Sequence, residues 1–200
     1  MPPANTERRS ALADVAITVL AERGLKGLTH RAVDAAAGEP VGTTSRYFRT
    51  REALLQSVVE QCANQLVQQL EGATGVDIGS LSMDDLIDRL VQLIDQAMTA
   101  NRARTLAMME LFVEGTRSAD IWPPLAEATG AVLPVLRALL ESAGLRPTER
   151  DVAGLYSTVN GLILTLLTHS VDALGLGSDP SPDQLVRTAI RGQLATVRRR

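Results

Sequence analysis

Apolar residues recur at spacings of three and four along nearly the whole chain, and no stretch shows the period-two alternation of a strand. The pattern therefore predicts an all-α protein. A first helix is expected over about 7–23, with Leu12, Val15, Ala16, Val19 and Leu20 on one face and a stop at Gly24. Leu25 and Leu28 would anchor the turn that follows. A second helix should begin at Thr29, a third should open near Pro40, a residue suited to a first helical turn, and a fourth should run from about Arg51 to Glu71. After a loop at 72–80, Ser82 is placed to cap a helix with Asp84 and Asp85 in its first turn, ending near Ala100-Asn101. Leu106, Met109, Phe112 and Val113 mark the next helix, and Trp122-Pro123-Pro124 opens another that Pro134 should kink before Gly144. Thr148 caps a helix expected to reach about Leu174, and Ser181-Pro182-Asp183-Gln184 reads as a capping box for the last, making about nine helices.

Between Thr29 and Phe48 the spacing is that of a helix-turn-helix. Thr29 can cap the helix start, the alanines at 32 and 35–37 admit a close neighbour, and Gly38 supplies the turn. Val41, Gly42, Thr43, Thr44 and Ser45 are small or hydroxylated, which lets a short helix sit deep in a major groove and offer methyl and hydroxyl contacts to base edges. Tyr47-Phe48 follows as an aromatic pair, then Thr50 as an N-cap with Arg51 in the first turn of the fourth helix, an arrangement suited to a phosphate. These features predict a DNA reader.

Over about residues 7–57 this sequence closely resembles the TetR family of transcriptional regulators, in the turn glycine, the short recognition helix, the aromatic-Phe pair and the basic-Glu-x-Leu helix start. Beyond that the likeness is architectural. The resemblance implies a three-helix DNA-binding head at 1–50 and a helical ligand-binding and dimerisation body at 51–200. It implies DNA contacts at His30, Arg31, Val41, Gly42, Thr43, Ser45, Arg46 and Tyr47, with Arg51 in place of the family's phosphate-binding lysine. Two positions depart from the pattern: Glu39 stands where an apolar residue usually follows the turn glycine, and Ser45 where tyrosine is common. An unpaired buried carboxylate costs several kcal/mol or shifts its pKa. Glu39 is thus expected either to turn to solvent at the helix N-terminus or to weaken the head, and Ser45 to read a different operator with less contact area.

The helix expected over 149–174 carries Leu155, Val159, Leu162, Ile163, Leu164, Leu166 and Leu167 on more than one face, and the last helix adds Leu185, Val186, Ala189, Ile190, Leu194 and Val197. A helix apolar nearly all round must be covered on two sides. One side can face its own body and the other an identical subunit, with Gly154 and Gly161 permitting close approach and Leu162, Leu185, Ala189 and Leu194 in the interface. By resemblance these two helices form a four-helix bundle between subunits and set two recognition helices ~34 to 36 Å apart on a palindromic double-stranded operator. The resemblance also implies a small-molecule pocket in the body, for which Met98, Met108, Met109, Phe112, Trp122, Tyr156 and Asn160 are candidates beside plain core packing. With five aromatic residues in the whole chain, an apolar, flexible effector is expected in preference to a large cationic drug held in an aromatic cage.

Composition changes the picture little: 45% hydrophobic residues is an ordinary globular fraction, and a net charge of −3 argues against a nonspecific nucleic-acid coat. The charge is uneven, with eight basic and six acidic residues in 1–56 and an acidic remainder, as suits contact with DNA at one end. The single cysteine, Cys62, is expected in the core; it excludes an internal disulfide and fits a cytoplasmic protein, as does the absence of an apolar h-region behind the first nine residues. The longest uninterrupted apolar stretch, around 161–167, is short of a membrane span. His169 and Asp172 could face one metal, but two ligands do not make a site; neither metal nor cofactor is expected. No nucleophile–base frame suggests an enzyme. The reading is a homodimeric DNA-binding regulator, most simply a repressor released by an apolar effector. Its alternative is an all-α ligand-binding or catalytic dimer with a weakened DNA-binding head.

Overall fold

The computed structural model describes residues 3–74, 81–169 and 182–197. Among them are nine α-helices and no strand: α1 (Pro3–Gly27), α2 (His30–Ala36), α3 (Thr43–Tyr47), α4 (Arg51–Thr74), α5 (Met83–Met98), α6 (Arg102–Gly115), α7 (Trp122–Ser142), α8 (Glu149–Thr168) and α9 (Pro182–Ala195). They form two compact units, the first of residues 1–66 and 103–131, the second of 67–102 and 132–200.

In the first unit, the apolar stripes of α1, α2, α4 and α6 supply a core that includes Leu12, Ala16, Leu20, Leu28, Val33, Phe48, Leu54, Val58 and Leu111. Gly24 breaks α1 where expected, with φ 68°, a conformation that L side chains avoid. A Cβ at Gly24 would also stand 3.0 Å from a Glu110 carboxylate oxygen. That carboxylate accepts the Leu25 N–H at 2.6 Å, so α6 holds the α1–α2 turn from one side. From the other, the Arg51 guanidinium of α4 donates to the carbonyls of Leu25 and Leu28. Cys62 is buried here as expected, and desolvation pushes its thiol up to about 12.

In the second unit α5, α8 and α9 pack on one another through Leu86, Leu90, Ile94, Leu155, Val186, Ile190 and Leu194. Capping boxes start two of these helices. Ser82 and Asp85 exchange bonds at α5, and Thr148 and Asp151 at α8. Ion pairs tie α9 to α5: Arg187 lies 2.5 Å from Asp88 and Arg191 3.1 Å from Asp84. The helix expected to reach Leu174 stops at Thr168, because His169 is extended (φ −131°, ψ 142°). Residues 170–174 lie outside the described residues, as do Asp172, Ser181 and the terminal arginines. α7 is continuous through Pro134, whose missing N–H removes one helical bond.

Candidate nucleic-acid interface

Thr29 caps α2 as expected, its hydroxyl accepting from the Ala32 N–H at 3.1 Å. Gly38 makes the turn at φ 66°. The third helix, however, begins at Thr43 and not at Pro40, because Gly42 enters it in the left-handed region at φ 94° and supplies no capping side chain. The cap comes from elsewhere. Asp34 on α2 is 1% exposed, and its two oxygens accept the Gly42 and Thr44 N–H groups, each at 2.7 Å, and the Thr44 hydroxyl at 2.5 Å. Burial by itself raises the Asp34 pKa, but these three donors and the nearby His30 overcome it and hold the carboxyl below its ordinary value. A buried carboxylate thus fixes the turn and the start of α3 to α2. Local sequence reading assigns Asp34 no role; an acid on the inner side of α2, facing a helix start that lacks its own cap, is the signal that could have found it.

On this frame the expected DNA contacts divide. Arg31, Val41, Ser45 and Arg46 are exposed, and Gly42, Thr43 and Tyr47 are partly so. Thr43 and Ser45 donate their hydroxyl hydrogens inward, to the carbonyls of Pro40 (2.7 Å) and Gly42 (2.9 Å). His30 is tied down: its Nε2 lies 2.7 Å from the Phe48 carbonyl, and since a carbonyl only accepts, that nitrogen carries the proton. Phe48 is buried, with the Arg9 guanidinium 5.2 Å from its ring centroid. Arg51 spends two nitrogens on the α1–α2 turn, so the position read as a phosphate contact is also a clamp. Glu39 does not turn freely to solvent. It is partly buried and paired, with the Arg8 Nη2 2.6 Å from both its oxygens, which removes the cost of an uncompensated carboxylate.

The candidate effector residues lie in different surroundings. Met108 and Phe112 pack against the core of the first unit, Trp122 is 58% exposed, and the Asn160 amide donates to the Tyr156 carbonyl at 2.9 Å, one helical turn back. Met98 does line a cavity of about 610 Å³ in the second unit, with Val91, Ile94, Leu166 and Val186 on its apolar side and Asp88, Asp95 and Asp183 among its polar residues. His169 also lines it, its Nδ1 2.7 Å from the Thr168 hydroxyl.

The expected interface residues divide as well. Gly154 faces its own subunit, where a Cβ would stand 2.7 Å from the Gln193 amide of α9, and Leu194 is 3% exposed and so packs inside its own chain. Gly161 opens on free space, and Leu162, Leu185 and Ala189 are partly exposed. Leu164 is 50% exposed. By length and apolarity α8 as a whole would also suffice to cross a membrane, a match that the shorter run at 161–167 did not suggest.

Comparison with known proteins agrees at both ends of the chain. The family model described as "Bacterial regulatory proteins, tetR family" matches residues 12–58, and "Tetracyclin repressor-like, C-terminal domain" matches residues 81–196. Among solved structures, a transcriptional regulator from Rhodococcus sp. Rha1 superposes with a TM-score of 0.72 at 23% identity, covering 94% of each chain. The multidrug binding protein EbrR in complex with imidazole gives 0.65 at 25% identity, over 96% of this chain and 93% of that one. EbrR with ethidium gives 0.67 at 22%, over 93% and 98%. A search of curated proteins returns no match. With one family model covering the helix-turn-helix and another more than half of the chain, this protein belongs to the TetR family of DNA-binding transcriptional regulators.

Proposed function

We propose that the protein is a homodimeric repressor that binds a palindromic operator through Arg31, Val41, Gly42, Thr43, Ser45, Arg46 and Tyr47 and leaves it when a small molecule binds the body. The observation that carries this reading is the Asp34-pinned start of α3, which presents Val41, Ser45 and Arg46 on a rigid support while Thr44 is consumed in holding it. From Pro40 to Arg51 the sequence has three arginines and no carboxylate, a balance suited to phosphates on either side of a groove. His30 and Arg51 act chiefly as positioning residues, and any phosphate contact by Arg51 uses what its clamp leaves free. The pairing of Glu39 with Arg8 gives no support to a weakened head.

Dimerisation is supported by α8, where Gly161 and Leu164 leave an apolar strip uncovered while the opposite face packs on α5 and α9. A second copy of that strip covers it better than lipid would, because Ser157 and Thr168 lie exposed beside it. Effector release is supported by EbrR, which binds imidazole, proflavin and ethidium. Converting mostly bound to mostly free requires roughly 5.5 kcal/mol of differential effector affinity between the two body conformations.

The test is titration of the full-length protein onto DNA upstream of its own gene, with random competitor, at several salt concentrations. The reading expects specific retention, two protomers per operator and a steep loss of affinity with salt. Failure to prefer any sequence in a genomic pool would overturn it.

A further inference from the structure

Val41 is the most exposed of the large apolar side chains among the described residues, at 77%. It stands just before Gly42, the N-cap of α3, at the end of a recognition helix that reaches base edges. Its surroundings are not those of a protein-docking patch. Val33 and Phe48 are buried, and the exposed side chains between Gly42 and Thr50 are Ser45, Arg46 and Arg49. A single valine beside arginines offers too little apolar area to hold a protein surface. It does match a surface that is anionic at its walls and polar across its floor, with one recurring apolar group. In the major groove that group is the C5 methyl of thymine.

The position is also held still. Asp34 accepts the Gly42 N–H at 2.7 Å, and the Pro40 carbonyl accepts both the N–H (3.1 Å) and the hydroxyl (2.7 Å) of Thr43. Val41 is therefore bracketed by two backbone anchors, and its branched side chain has little torsional freedom to lose on contact. We infer that Val41 is a specificity-determining residue that selects a thymine in each operator half-site through that methyl group. The inference rests on the operator-binding reading above.

The experiment begins by enriching bound sequences from a random duplex library with the full-length protein. In the best operator each thymine is then replaced singly by deoxyuridine, which removes only the C5 methyl. One position per half-site should lose about fourfold in affinity, the value of burying one such group. Val41→Ala, which loses both γ-methyl groups and withdraws the side chain from the groove, should bind the thymine and uracil forms alike, and Val41→Thr, which keeps one γ-methyl group, should retain the discrimination. Because Val41 is exposed, thermal melting should be the same for all three proteins. Insensitivity to every uracil substitution, or sensitivity that survives in Val41→Ala, would overturn this inference while leaving operator binding intact. Enrichment of no sequence would defeat the operator reading and this inference with it.

Discussion

Replacing Asp34 with asparagine keeps the shape of the side chain but removes a charge that accepts three hydrogen bonds around the start of α3. Bonds to a buried charge are worth about 1.5–3 kcal/mol each before compensation. Asp34→Asn should therefore lower unfolding stability by at least about 1 kcal/mol and abolish specific DNA binding, as urea denaturation and operator titration would report. The pH dependence follows from the direction of the shift. A carboxyl held below its ordinary value of 3.8 contributes stability above that value and loses it as pH falls through the lower folded value. This contribution should be flat from pH 7 to 5 and disappear only below about pH 4, in wild type but not in Asp34→Asn. Cys62 makes a separate residue-scale prediction. With its thiol pushed up to about 12 by burial, it should resist a disulfide reagent at pH 8 in the native protein and react at once in denaturant.

At the scale of elements, the helices with strong apolar faces and local caps were legible in the sequence, and α2, α5 and the start of α8 fall where Thr29, Ser82 and Thr148 placed them. What escaped was set by contacts between elements. The start of α3 depends on a carboxylate eight to ten residues back in the chain, and a left-handed Gly42 has no local sequence signature beyond the glycine itself. Arg51 escaped in the same way: read locally it is a helix-start cation, but in the fold it grips the turn between α1 and α2. Arg46, by contrast, is exposed. Arg51→Ala should lower the melting temperature and the operator affinity together. Arg46→Ala should leave the melting temperature unchanged and weaken DNA binding, reducing the salt slope by about one if it meets a phosphate. An Arg51→Ala protein of undiminished stability would show that the clamp is incidental.

At the scale of the whole molecule, the proposed dimer rests on the uncovered strip on α8. Leu164→Glu would place a charge in that strip, at a position half exposed in the single chain. Sedimentation should then find a monomer with an unchanged helical signal by circular dichroism, and affinity for a two-half-site operator should collapse toward that for one half-site. If Leu164→Glu remained dimeric, the contact would lie elsewhere on the second unit. Under that proposal the same strip would give the protein a dependence on its own abundance. If part of the cover for α8 is borrowed from another copy, folding and association are linked, and the melting temperature should rise with protein concentration. Dilution would then act as a denaturant. In a cell, scarcity would lower the fraction of subunits able to occupy an operator before any effector arrives.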